Sequence, residues 1–161
     1  QQRRLAAARR PDERRDLLVA DVDGYVVQRL VLTIEQVQEL FLSVNWISGQ
    51  YPERLYKALM HSSTVLTAWD DSRLVGLIRV LDDTEMLAQI HYVLVHPEYQ
   101  GQGIAGKMLE LIKEKYKNFF YLEVMPAEKK NVPFYEKHGF QVMEGGTAMQ
   151  LVHQPKEQPH H

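Results

Sequence analysis

Apolar residues recur with two different periods along this chain, and the switches between them outline a mixed α and β fold. Tyr25–Leu32 is rich in β-branched residues and predicts a strand. Thr33 and Gln36 then stand at capping-box spacing ahead of Val37, Leu40, Phe41 and Val44, which share one face of a predicted helix. Pro52 suits the first turn of a second helix running to about Met60. Thr64–Trp69 and Leu74–Leu81 predict strands joined in a hairpin at Asp70-Asp71-Ser72, and Met86–Val95 predicts a longer one. Ile104, Met108, Leu111 and Ile112 repeat at helical spacing within Gly103–Tyr116. Phe119–Val124 reads as a short strand and Val132–His138 as a short helix. Phe140–Val142 and Thr147–Val152 read as closing strands about a Gly145-Gly146 turn. This order predicts an α/β (α+β) architecture with a mixed central sheet and helices on both faces.

Composition narrows the class. The 161 residues suffice for one domain, with 45% hydrophobic and 25% charged residues. A net charge of -2 gives no reason to expect nucleic acid as a partner. No apolar run is long enough to span a membrane. The start, Gln-Gln-Arg-Arg, lacks the apolar stretch of a secretory signal. Cysteine is absent, which excludes disulfides, cysteine metal sites and an acyl-cysteine intermediate, and fits a cytoplasmic protein. No metal site is expected. Residues 1–23, with six arginines in the first fifteen positions, read as an extension; 24–153 form the expected domain, and the Pro- and His-rich residues 154–161 a tail.

The most informative stretch is Val95-His-Pro-Glu-Tyr-Gln-Gly-Gln-Gly-Ile-Ala-Gly106. It links a predicted strand to a predicted helix through glycines, so several backbone N–H groups converge where the helix dipole favours negative charge. A phosphate-bearing ligand is expected there. Three patterns compete for it. Gly101, Gly103 and Gly106 fit a dinucleotide fingerprint, but five residues separate the strand from the first glycine and hairpins precede it. Gly101 and Gly106-Lys107 fit a P-loop, but Met108 stands where a magnesium-binding hydroxyl is required. The third pattern is Gln100-x-x-Gly103-x-Ala105 preceded by Val95-x-Pro97.

That third pattern resembles motif A of the GNAT superfamily of N-acetyltransferases. A second stretch, Phe134-Tyr-Glu-Lys-His-Gly-Phe140, resembles the same superfamily's motif B. The resemblance covers about Tyr25 to Val152 and implies the GNAT fold, with about six to seven strands. It implies acetyl-coenzyme A as the donor of an acetyl group passed directly to a primary amine. It further implies that backbone N–H groups of Gln100, Gly101, Gln102, Gly103, Ile104, Ala105 and Gly106 hold the pyrophosphate. The freed strand edge at Val93, Leu94 and Val95 would meet the pantetheine arm. Phe134, Tyr135 and Asn131 fall at or near family cofactor contacts, although Asn131 also suits a helix N-cap with Pro133 in the first turn.

Direct transfer needs a neutral amine, a stabilised oxyanion and a proton for the departing thiolate. The resemblance assigns the last role to Tyr135, with oxyanion stabilisation from a backbone N–H near Leu94 or Val95. The family's strand glutamate falls on Gln89, which is no base. His91, two residues on, is the candidate that remains on that strand; Glu85 and a chain of waters are alternatives. The family's cofactor asparagine falls on Glu128. Lys107, Lys129 and Lys130 are candidate phosphate neighbours or solvated lysines. Trp46 and Tyr51 are candidate walls for the acceptor. The expected partners are a small-molecule or peptide amine, in a monomer or homodimer, with no nucleic acid and no membrane. The missing glutamate keeps one rival open, an acyl-coenzyme A-binding module without catalysis.

Overall fold

Thr33 starts the first helix as its spacing predicts. In the computed structural model its Oγ1 accepts from the Gln36 N–H at 3.3 Å, and Gln36 Oε1 accepts from the Thr33 N–H at 3.0 Å. Both bonds satisfy helix-end donors that would otherwise lack partners. The structure describes residues 6–8, 16–21 and 32–153. Among these, α1 (Ile34–Ser43) and α2 (Pro52–Met60) turn Val37, Leu40, Phe41, Leu55 and Leu59 into one core. α3 (Ile104–Lys115) turns Ile104, Met108, Leu109 and Ile112 into another. The short α4 (Val132–Lys137) adds Tyr135 to that second core. The two cores lie on opposite faces of one sheet.

The sheet has six strands in chain order: β1 (Ala6–Ala8), β2 (Asp16–Asp21), β3 (Thr64–Asp70), β4 (Arg73–Asp82), β5 (Leu87–Val95) and β6 (Tyr121–Val124). β2–β3 and β5–β6 pair in parallel, and the other neighbours antiparallel. α3 is the crossover between the parallel strands β5 and β6, which a tight turn cannot join. The fold is the expected mixed sheet with helices on both faces. No helix among the described residues is long and apolar enough to cross a membrane.

Two irregularities in β5 position the site. Tyr92 pairs with Arg79 and Ile90 with Val80, so His91 is an extra residue in a bulge. Pairing between β5 and β6 then stops at Ile90 and Val124. Pro126 follows two residues later, and a proline has no N–H to continue a ladder. The remaining stretch of β5, His91–Val95, therefore keeps one hydrogen-bonding edge without a strand beside it.

Two stretches of the segment read as an extension form strands, and the closing strands expected at the other end do not form. Ala6–Ala8 and Asp16–Asp21, in the segment read as an extension, are strands; Leu17-Leu18-Val19-Ala20 is a short apolar run that the arginines around it mask. The strand expected at Tyr25–Leu32 lies outside the described residues except for Leu32, which is buried. Phe140–Val142 and Thr147–Val152 are not strands. Phe140 packs on Tyr135, but Val142 at 62% and Met149 at 92% stay exposed, so alternation there found no sheet edge to bury against.

Met108 occupies the place where a P-loop needs a hydroxyl, and the structure gives it a packing role. It is 1% exposed, and a Cβ on Gly76 of β4 would sit 2.9 Å from its Cε. The bare Gly76 backbone lets α3 press against the sheet directly below the glycine loop. Met108→Ala should therefore cost about 2–5 kcal/mol, read as a lower urea midpoint with an unchanged slope.

Candidate active site

The glycine loop is held by side chains that the motif does not include. β5 runs into a single 3₁₀ turn, Pro97–Tyr99, then through Gly101 and Gly103 at φ +79° and +80° into α3. A left-handed backbone costs a residue with Cβ about 1–2 kcal/mol, which accounts for both glycines. Gln100 Nε2 donates to the Val95 carbonyl at 2.9 Å, tying the loop back to the end of β5. The His96 N–H donates to Val75 O at 2.8 Å, and Tyr99 Oη donates to Asp70 Oδ2 at 2.6 Å. Arg73 Nη1 donates to Glu98 Oε2 at 2.8 Å. The loop is thus pre-set before any ligand arrives.

What it presents is backbone. The Lys107 N–H donates to Gly103 O, so the N–H groups of Ile104, Ala105 and Gly106 in the first turn have no helical acceptor. No atom lies within 4 Å of where a Cβ would stand on Gly101 or Gly103. The space in front of the loop is open, and donors and helix dipole face it. An anion fits there. Ile104 is buried at 5% exposure, which leaves its backbone as the part a ligand can reach. Gly106 has a second reason to be glycine: its Cβ would stand 3.2 Å from two atoms of the His138 ring, so its absence lets α4 lie close to α3. His138 Nδ1 in turn lies 2.7 Å from Glu110 Oε1 on α3, a contact that holds the Glu110 carboxyl below its usual range.

The splay continues this surface. Because the His96 N–H points at β4, alternation sends the backbone groups of Leu94 toward β4 as well and those of Val93 and Val95 toward the gap beside β6. The Val95 carbonyl is already taken by Gln100, which leaves the Val95 N–H and both groups of Val93. Of the three residues expected on this edge, Val93 and Val95 face it and Leu94 does not. An extended amide-bearing chain is the complement of such an edge.

Tyr135 is 9% exposed and packs between Phe134 and Phe140, with ring centroids 5.1 and 5.8 Å away. Burial pushes its phenol up to about 12. At neutral pH it is a proton donor only. Phe134 also packs on His138, at 4.9 Å. Asn131 stands at the N-cap of α4, but its φ and ψ of -87° and -9° are helical and its side chain caps nothing. The preceding 3₁₀ turn, Lys129–Asn131, already leads into the helix. Glu128 and Lys130 pair with each other at 2.8 Å.

On the α1/α2 face of the sheet a cleft of ≈ 830 Å³ opens beside the bulge. Trp46, Tyr51, Gln89, His91 and Tyr92 line it, with Leu151 on the opposite wall. The bulge puts consecutive residues, His91 and Tyr92, on this one face, with ring centroids 4.2 Å apart. Tyr92 stacks with Phe41 and Trp46 and shares a hydrogen bond with Ser48 at 2.9 Å, so Trp46 is both core and wall. Arg79 Nη1 lies 3.0 Å from His91 Nδ1. A guanidinium has no acceptor, so Nδ1 accepts and the imidazole proton sits on Nε2. Desolvation, and then the Arg79 charge, lower the His91 pKa. Glu85 is placed in the β4–β5 turn, where Asp83 Oδ1 accepts its N–H at 3.0 Å, and does not line the cleft.

Sequence reading missed Arg79, Tyr92, Arg54 and the brace of Arg73, His96 and Tyr99. Arg79 did carry a signal, as the one charge inside the apolar run Leu74–Leu81. The others depended on cross-strand partners that spacing does not show.

Comparison with known proteins agrees with this geometry. Residues 31–140 match the model of the acetyltransferase (GNAT) family. The chain is 30% identical over 124 residues, 73% of its own length and 70% of the relative's, to the uncharacterized N-acetyltransferase ycf52 of Porphyra purpurea. Among solved structures, a GNAT family acetyltransferase of Streptococcus pneumoniae is 27% identical with a TM-score of 0.64, over 80% of this chain and 96% of that one. A probable acetyltransferase of meticillin-resistant Staphylococcus aureus is 25% identical with a TM-score of 0.68, over 77% and 95%. The family match runs from before α1 through Phe140 and so takes in the loop, the splay and α4 together: the chain belongs to the acetyltransferase (GNAT) family.

Proposed function

We propose that this chain moves an acetyl group from acetyl-coenzyme A directly to a primary amine of a small molecule or peptide. The observation that carries this reading is the continuity of two unpaired backbone surfaces, the β5 edge at Val93 and Val95 and the N–H groups from Gly101 to Gly106. One suits an extended amide chain and the other a pyrophosphate, and they adjoin in the order that coenzyme A requires. Acetyl-coenzyme A supplies the activated acyl carbon. The Val95 N–H is the nearest donor for the oxyanion that forms on that carbon. The Tyr135 hydroxyl gives its proton to the departing sulfur; its raised pKa keeps it protonated until then. His91 is assigned a donor's role, because its Nδ1 is engaged by Arg79 and serving as a base would require giving up that contact. The amine proton then leaves to water in the cleft, and water returns a proton to the Tyr135 oxygen, which restores the phenol for the next turnover.

A cytoplasmic setting belongs to this proposal; a plastid is the second setting, suggested by a relative described as GCN5-related N-acetyltransferase 2, chloroplastic, of Arabidopsis thaliana, 33% identical over 72 residues. The rival function is an acyl-coenzyme A-binding module, and the observation favouring it is that among the described residues neither Asp nor Glu lines the cleft. Thiol release across an amine panel separates the two, since a module binds acetyl-coenzyme A and releases no thiol with any amine.

Gly103→Val should remain folded at a strain cost of about 1–2 kcal/mol while its side chain fills the space before the N–H groups. Calorimetric affinity for acetyl-coenzyme A should fall at least about tenfold; an unchanged affinity would remove the loop from the site. Tyr135→Phe should lower kcat by about 10²-fold with little change in acetyl-coenzyme A affinity, and wild-type turnover would end its role as acid. Because burial raises the Tyr135 pKa to about 12, its neutral form persists, and kcat should show no loss from this group below about pH 11.

A further inference from the structure

Among the described residues, the acceptor-side cleft is lined by one guanidinium, Arg54, and by no carboxylate. His91 and His153 line it as well, together with Tyr51 and Tyr92. Arg54, on α2, makes no ion pair among the described residues. Behind His91, Arg79 lies half-buried on the same face of the sheet. Its Nε donates to Ser62 Oγ at 2.7 Å and its Nη1 to His91 Nδ1 at 3.0 Å, and both partners are neutral. Arg73 shows the contrast: it takes Glu39 at 3.3 Å and Glu98 at 2.8 Å. A half-buried guanidinium is costly, and among the described residues Arg79 meets the face of the Tyr92 ring at 5.6 Å and the neutral acceptors on Ser62 and His91, and no carboxylate. Desolvation lowers its pKa, in keeping with that cost.

Resting on the acetyltransferase reading, we propose that the acceptor is an amine that also bears a carboxylate, held by Arg54 and by the His91 Nε2–H that Arg79 fixes as a donor. The chemistry is consistent at both ends of such a molecule. A carboxylate pairs with Arg54 through charge-assisted hydrogen bonds and accepts from the neutral His91 Nε2–H. Arg79, behind His91 and not engaged by that carboxylate, disfavours the ammonium form of the reacting amine and lowers its pKa. The neutral nucleophile is then populated without a side-chain base, which accounts for a cleft with Gln89 and, among the described residues, no acid. Polyamines and lysine-rich peptides would bring further positive charge to a lining that has none to offset it. The charged or titratable groups facing this amine are Arg54 from α2, Arg79 from β4, His91 from β5 and His153 from the C-terminal segment, with the phenols of Tyr51 and Tyr92.

The test is a panel in which each acceptor skeleton, aliphatic, aromatic and dipeptide, is supplied as the carboxylate, as the carboxamide and with a second amine in its place. Thiol release should give a kcat/KM for the carboxylate form at least about tenfold above both others in the preferred skeleton. In Arg54→Gln the carboxylate-to-carboxamide ratio should fall toward one. In Arg79→Gln the acid limb of the kcat/KM profile should move to higher pH, because the amine loses a nearby cation; packing damage alone would lower the rate without moving the limb. Calorimetric acetyl-coenzyme A binding confirms that each variant is folded. Equal rates for carboxylate and carboxamide, or a preference for the second amine, would overturn the proposal alone. Turnover of no acceptor in any form, with acetyl-coenzyme A still bound, would overturn the acetyltransferase reading and this proposal with it.

Discussion

β5 and β6 share a ladder only as far as Ile90 and Val124, and the donor side of the molecule depends on that stop. A strand edge with unused N–H and C=O groups is costly unless water or a ligand meets it. Here two local features keep it open. The bulge at His91 bends β5 out of register with β4, and Pro126 removes the donor that would have extended β6. The same bulge turns His91 and Tyr92 onto one face. One extra residue therefore frees the edge that a thioester's amide arm can use and shapes the wall of the cleft on the other side.

The rest of the structure holds that edge against the glycine loop. Gln100 reaches back to Val95, Tyr99 to Asp70 and Arg73 to Glu98, so the loop is fixed to β3, β4 and β5. Beneath it, Met108 packs where Gly76 has no side chain; beside it, Gly106 admits the His138 ring. These contacts hold the N–H groups of the loop beside the edge of β5, and α4 packs the Tyr135 ring into the core under α3. Each group is ordinary by itself. Their value for acyl transfer lies in being placed beforehand, which lowers the ordering cost of binding and of the reaction.

Much of this was legible in the residues. Thr33 with Gln36, Pro52, the Asp70–Ser72 hairpin and the α3 periodicity are local signals, and each element formed where its own residues required it. The loop was legible because glycines at positive φ and a helix start leave a spaced pattern. The bulge was not, because it is a relation between Arg79, Val80 and the partners they take on β5, and no spacing within one strand reveals it. The orientation of His91 was hidden for the same reason, since its Nδ1 is claimed by a residue on another strand. The closing strands at Phe140–Val142 and Thr147–Val152 show the converse error: alternation proposed an edge to pair with, and the structure provides none there.

The proposals for the loop and the cleft fit together, with a donor held by backbone and an acceptor held by side-chain charge. Their central claim is that donor binding covers Val93, Val95 and Gly101–Gly106 as a single surface. Amide hydrogen exchange, read residue by residue with and without acetyl-coenzyme A, tests it directly. The account predicts slowed exchange at the Val93 and Val95 amides and across Gly101 to Gly106, with Leu94, already directed at β4, little changed. Protection that spares this edge and falls instead on the cleft around Trp46 and Tyr92 would contradict it.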